Sequence, residues 1–231
     1  MRNALAVLAM MLLSGLAFAQ SSGNFAARVA TMQCVLNQTT GGISEGLTGT
    51  VLSTTIKTPN SGQTALVIRP SLVTGLFTRT KVDSADADAT AVAGVRVRVL
   101  IDGKIVAPGT PVGGTPGAGG VAADAGYIWY DKRFQRLSTN IFNLLGTDCD
   151  PAADGDQPCF IDLILSTLSA HSFDYVVGDV GVGDHTLTVE WELEPTSSNA
   201  NEAACVGPGV VTVQQVKTFS TGGGIFITSN N

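Results

Sequence analysis

Apolar and polar side chains alternate along much of this chain. Val95, Val97, Val99 and Ile101 fall on one side of an extended segment, and Arg96 and Arg98 on the other. Leu187, Val189, Trp191 and Leu193 alternate in the same way with Thr186, Thr188, Glu190, Glu192 and Glu194. A period of two marks half-buried strands of an antiparallel sheet. Further strands are expected over 28–37, 47–57, 64–69, 72–81, 126–132, 160–167, 171–177 and 210–219, with a short last one at 225–228. One stretch, 134–145, has helix spacing, because Phe134, Leu137, Ile141 and Leu144 recur at three and four. It predicts at most one short helix.

Turn signals separate these runs. Asp102-Gly103 between two apolar runs predicts a tight hairpin. Gly181-Val182-Gly183-Asp184 breaks two strands, and Gln214-Gln215 shifts the alternation phase, which predicts a bulge. Many short strands with regular turns predict an all-β fold, an antiparallel β-sandwich of immunoglobulin-like or jelly-roll type. Two loops stand out. Residues 108–120 are Gly, Pro, Thr, Ala and Val without a charge, and 148–158 are polar and acidic. The length suits a single sandwich domain over 20–231.

Composition changes the picture at three points. Charged residues are only 14%, against about 25% for ordinary soluble domains. The net charge is −6, which disfavours a nucleic-acid partner, since phosphate repels an acidic surface. The chain also opens with Arg2, an apolar run over 4–13 and Ala17-Phe18-Ala19, the pattern of a signal peptide over 1–19. The apolar run is too short to cross a bilayer, and no later segment reads as a membrane-spanning helix. An outer-membrane barrel is disfavoured by the 6% aromatic content, because such barrels need two aromatic girdles. The expected destination is secreted or periplasmic. All four cysteines follow the predicted cut, which suits two disulfides. Cys149–Cys159 would close the acidic loop, leaving Cys34–Cys205 to tie the first strand to the last segment. Zinc is disfavoured by the spacing and by the presence of only two histidines.

The candidate chemistry is sparse. Asp148, Asp150, Asp154 and Asp156 crowd a Gly-containing loop that the first bridge would preorganise, so calcium is the candidate metal. Their spacing departs from the EF-hand template. Tyr127, Trp129 and Tyr130 are the densest aromatic group and a candidate ligand-binding platform, with Tyr127 and Trp129 on one face and Tyr130 on the other. Gly42-Ile43-Ser44-Glu45-Gly46 matches the nucleophile-elbow pattern but lacks its strand–turn–helix setting. Glu190, Glu192 and Glu194 share one outward face, as a paired-carboxylate glycosidase would need. A charged solvent face opposite the Arg96 and Arg98 row is the favoured reading of them. His171 is expected in phase with Phe173, Tyr175 and Val177, and His185 at a strand opening.

Gly183-Asp184-His185-Thr186-Leu187-Thr188-Val189-Glu190-Trp191 resembles the closing strand of many extracellular immunoglobulin-like domains. Residues 97–108, around Asp102-Gly103-Lys104, resemble an internal hairpin of such domains. The resemblance covers about a tenth of the chain and implies a β-sandwich with an adhesive role; it transfers no catalytic residue. The sequence therefore favours an exported, non-enzymatic binding or surface-interaction module with a protein or glycan ligand. The competing readings are a secreted carbohydrate-active enzyme on a jelly-roll scaffold and a structural subunit of an extracellular assembly.

Overall fold

The alternating runs become strands in a computed structural model that describes residues 25–38, 47–58, 64–83, 89–140, 142, 160–195 and 200–217. The signal segment 1–19, the 42–46 motif, the acidic loop 148–158 with Cys149 and Cys159, and the 225–228 run lie outside the described residues. The strands are β1 (Phe25–Ala30), β2 (Gln33–Gln38), β3 (Leu47–Thr58), β4 (Thr64–Asp83), β5 (Ala89–Ile101) and β6 (Lys104–Ile105). They continue with β7 (Ile128–Leu137), β8 (Phe160–Ser172), β9 (Tyr175–Gly178), β10 (Gly183–Pro195) and β11 (Ala200–Lys217).

Two antiparallel sheets pack face to face, the all-β sandwich that the alternation predicts. The six-stranded sheet has β11 and β4 at its centre. β1 and β2 follow one another along the outer side of β11, and β8 and β9 follow one another along the outer side of β4. The five-stranded sheet runs β3–β10–β5, with β6 and β7 both on the far side of β5. Inward side chains of β5 and β10, among them Val95, Val97, Leu187 and Trp191, meet Leu66, Ile68, Leu72 and Leu76 of β4. Burying such aliphatic surface stabilises a sandwich by about 25 cal/mol per Å2. The Trp191 Nε1–H donates to Gln33 Oε1 at 2.8 Å, so the indole is buried without an orphaned donor. Gly49 lies opposite it across β3–β10, where a Cβ would come within 2.5 Å of Nε1.

Several boundaries differ from those expected. The runs 64–69 and 72–81 are one strand, β4. Pro70 is tolerated inside it because the register on the β8–β9 side gives Arg69 and Pro70 no partner. The run 28–37 is instead two strands, broken at Thr31–Met32. That break lies beside the Gly207-Pro208 irregularity in β11, where a Gly207 Cβ would strike the Thr31 carbonyl. The predicted bulge at Gln214-Gln215 is absent: pairing with Val67 and Leu66 runs through it, and the register shifts at 206–209. The run 134–145 divides: Phe134–Leu137 finish β7 in register with β5, Asn140 and Phe142 are helical, and 141 and 143–145 lie outside the described residues. The Asp102-Gly103 hairpin forms as expected, with φ of 50° and 77°, a type I′ turn.

Cys34 and Cys205 stand directly opposite in the β2–β11 register and form a disulfide with Cα atoms 4.1 Å apart. The bridge lies on the outer face, because Ala204 and Val206 on either side point into the core.

The end of the sandwich under the Asp102 turn is pinned by a second device. His185 lies 2.7 Å from Asp102 Oδ2 through Nδ1 and 2.9 Å from the Gly181 carbonyl through Nε2. Both ring nitrogens face acceptors, so the imidazolium is the form that satisfies both. The Asp102 hydrogen bond is the larger cause that raises the His185 pKa above 6.5, and the Gly181 carbonyl adds to it. A raised histidine pKa gives stability that is complete below 6.5 and is lost as pH rises through the folded value. Wild-type chain should therefore lose this contribution between pH 6 and pH 9, and Asp102→Asn, which tolerates the positive φ, should not. Thermal unfolding at the two pH values checks this; the same pH difference in both proteins would remove His185 from the account.

Candidate functional site

The aromatic trio does not form a platform. β7 carries a bulge at Tyr130, because Val95 pairs with Asp131 and the next residue, Arg96, pairs with Trp129. Tyr130 turns inward and is buried, and its hydroxyl donates to the Pro70 carbonyl at 3.1 Å. Burial pushes its pKa well above the ordinary phenol value. Tyr127 lies under two guanidinium groups, with Arg98 Cζ 4.4 Å and Arg96 Cζ 5.1 Å from its ring centre. Desolvation raises its pKa to about 12. Of the three, only Trp129 is exposed, at 39%, and the Lys132 ammonium sits 4.2 Å from its ring centre. A sugar-stacking surface needs exposed aromatics in a row, and these three are dispersed to separate environments.

The glutamate row does face the arginine row, as the ion-pair reading requires. Glu190 is opposite Arg98 and Glu192 opposite Arg96 in the β10–β5 register. Arg98 Nε lies 2.7 Å from Glu190 Oε2, and Arg96 Nη2 lies 2.9 Å from Glu192 Oε2. The face is not a solvent face, however. Residues 107–126 fold back over it, and Arg98 donates to the Ala123 and Ala125 carbonyls at 2.8 Å each. Arg98 and Glu192 are buried as a result. Desolvation raises the Glu192 pKa, opposed by Arg96. The Gly- and Pro-rich loop is thus a cover, and the carboxylates it covers are held by guanidinium groups rather than aimed at a cleft.

The bulge has a second effect that the sequence pattern hid. Beyond Tyr130, it turns Asp131, Arg133 and Gln135 toward β4 and β8. The sandwich interior is polar at this end, with Thr74 and Thr78 of β4 facing Asp131 and Gln135. Ser169 donates to Asp131 Oδ2 at 2.9 Å, and His171 Nε2 lies 4.0 Å from the same oxygen. Serine, histidine and aspartate meet here, but in the wrong order for a nucleophile. The serine proton points to the carboxylate, whereas a triad directs it to the imidazole. Ser169 and His171 share a strand face two residues apart, which the sequence shows; the inward turn of Asp131 depends on the bulge. Among the described residues, no three His, Cys, Asp or Glu side chains gather to hold a metal ion.

Among the described residues, clefts open at two places on the sandwich. One, of about 250 Å3, lies between the sheets on the β1–β3 side and is walled by Leu52, Ile56, Leu66, Leu187 and Val213. The other, of about 340 Å3, lies beside the His185–Asp102 clamp. The first is lined by no carboxylate; the second brings Asp102 and Asp179 near Lys104 and His185, with Asp102 and His185 engaged with each other in the clamp.

The most unusual surface is β8. Among the described residues it is the outer strand of its sheet, 13 residues long, paired with β4 through an unbroken register. Phe160, Ile164 and Leu168 project from its outer face, 60%, 54% and 78% exposed. Leu165, on the other face, is exposed too. On that outer face Asp162 is bound to Arg79 at 2.5–3.0 Å, and the Lys81 ammonium sits 4.5 Å from the Phe160 ring centre. The guanidinium hydrogen bond is the main cause that lowers the Asp162 pKa. Natural sheets protect their edges with lysine, proline or bulges, and β8 has none of these. The β7 edge, by contrast, carries Lys132 and Arg136, and the β1–β2 edge is interrupted at 31–32.

No protein-family model matches the chain, and no curated protein matches it. Among solved structures it has a slight likeness to the infectious bursal disease virus VP2 subviral particle, with a TM-score of 0.28 and 12% identity. That alignment covers 86% of this chain and 38% of the viral one. The Gx strain of the same virus gives a TM-score of 0.28 and 10% identity over 87% of this chain and 38% of that one. This chain spans about two fifths of the length of those proteins. Likenesses at this level carry no argument about what the chain does.

Proposed function

We propose that this chain is an exported, non-enzymatic surface-interaction module, and that the edge of β8 is its contact surface. The observation that carries the reading is a long strand edge flanked by exposed Phe160, Ile164 and Leu168. Such an edge offers unpaired backbone donors and acceptors for strand addition, and alternate side chains for selectivity. The Cys34–Cys205 bridge supports an oxidising destination, whether secreted or periplasmic. The carbohydrate-active alternative loses its main support, because Glu190 and Glu192 are engaged by Arg98 and Arg96. A role as a subunit of an extracellular assembly draws on the same edge.

The test uses hydrogen exchange on the mature oxidised chain at submicromolar concentration. The probe is a synthetic peptide with the sequence of residues 160–172, added in excess. Exchange of β8 amides should slow at least several-fold, while exchange in β3 and β7 stays unchanged. Unaltered β8 exchange at millimolar peptide would overturn the reading.

A further inference from the structure

We infer that a second copy of this chain is the occupant of the β8 edge, paired antiparallel about a two-fold axis through Ile164; the inference rests on the edge being a contact surface. The argument is one of register. In an antiparallel pair, directly opposite residues point to the same face. Side chains of β8 alternate, so a two-fold pairing keeps both outer faces together only when a residue stands opposite its own copy.

Each allowed centre can be compared. With Ile164 opposite Ile164, Phe160 meets Leu168 and Leu168 meets Phe160 on the outer face. Asp162, the one charge on that stretch, meets Ser166, whose hydroxyl can donate to a carboxylate that Arg79 leaves with free lone pairs. On the inner face Leu163 meets Leu165 twice, and Ile161 meets Thr167 twice. Every large exposed apolar side chain of the edge (Phe160, Ile164, Leu165 and Leu168) is then covered by another, and no like charges are opposed.

The neighbouring centres are worse. A centre at Leu163 sets Asp162 against Ile164 and Phe160 against Ser166. A centre at Leu165 sets Asp162 against Leu168 and Ile164 against Ser166. A centre at Ser166 covers Ile164 with Leu168 but leaves Phe160 against Ser172 and Leu163 against Ser169. The sequence Phe160–Leu168 is thus near-palindromic in polarity about Ile164. An unrelated extended partner would not require that symmetry. The pairing joins two six-stranded sheets into one continuous sheet across the axis.

The experiment combines mass with register. Light scattering of the mature oxidised chain over a dilution series should show a reversible monomer–dimer equilibrium. Ser166 is exposed, so its substitution leaves the fold intact. Ser166→Lys places an ammonium opposite Asp162 twice and should tighten the dimer at least three-fold. Ser166→Asp opposes carboxylates twice and should weaken it ten-fold or more. Ile164→Cys should oxidise to a 164–164 crosslink, because residues opposite in a ladder come within disulfide reach. Ser172→Cys, which has no opposite residue within β8 in this register, should not crosslink. A monomer at every concentration overturns the inference, and so does a dimer that ignores position 166 or crosslinks through 172. A monomer whose β8 amides are still protected by the peptide overturns the self-pairing alone, whereas failure of both measurements removes the contact surface itself.

Discussion

Replacing both Cys34 and Cys205 by alanine should lower unfolding stability by about 4 kcal/mol, on the order of 10–15 °C in melting temperature for a chain of this size. The expectation comes from loop closure. The bridge joins residues 171 apart, so it removes a large share of the denatured chain's freedom. In the folded state the two cysteines already face one another in the β2–β11 ladder, and the bond asks for no rearrangement. A second signature separates this mechanism from a local one. A crosslinked denatured chain is more compact, so the slope of unfolding free energy against denaturant should rise when the bridge is removed. Urea titration of both proteins measures both quantities. A loss below about 1 kcal/mol with an unchanged slope would mean that the bridge merely holds β2 on its edge.

Glu202→Gln should stabilise the chain by up to about 3 kcal/mol at pH 8 and change little at pH 4.5. Glu202 sits on β11 between Asn37 of β2 and Thr78 of β4 and is 1% exposed. Desolvation raises its pKa from the ordinary 4.5 to about 7, opposed by a hydrogen bond from the Val92 backbone. Below the ordinary value, folded and unfolded chains both hold the proton, and the carboxyl is neutral in its core position. Between the two values the unfolded chain ionises and the folded chain does not, so stability falls as pH rises. Above about 7 the folded chain carries a buried charge, and the loss is complete. The neutral amide never titrates, so the wild-type–variant difference should open between pH 4.5 and 7.5. Chemical denaturation of both proteins across that range tests it. A constant difference would show that the effect is packing rather than ionisation.

β5 and β10 were legible because Val95, Val97, Val99 and Ile101 alternate with Arg96 and Arg98, and Leu187, Val189, Trp191 and Leu193 alternate with threonines and glutamates. The cross-strand pairing of their arginines and glutamates followed from the same pattern. In the sequence β4 reads as two runs, 64–69 and 72–81, with Pro70-Ser71 between them. The place of Pro70 opposite the gap between β8 and β9 is a property of the assembled sheet, not of the segment. The first half of β11, Ala200–Val206, carries small and polar side chains and gave little periodic signal; β2 and β4 impose its conformation from either side. The candidate ligand residues fared worst. Tyr127, Trp129 and Tyr130 are adjacent in sequence, yet a one-residue bulge and a loop folded over the sheet send them to three environments. The apolar character of 160–168 was visible, but whether that strand stands inside a sheet or at its rim depends on topology alone.

The cross-strand bridge also fixes how the molecule bears load. When β1 and the far end of β11 are drawn apart, tension enters through neighbouring segments that precede Cys34 and follow Cys205. β1 can peel from β11 one ladder bond at a time, and β11 beyond Cys205 can shear from β4. At the bridge the force crosses from one cysteine to the other through a covalent bond. The segment between them, including the whole five-stranded sheet and the β8 edge, is then bypassed. A contact made by β8 would keep its geometry while the chain's flanks are pulled straight.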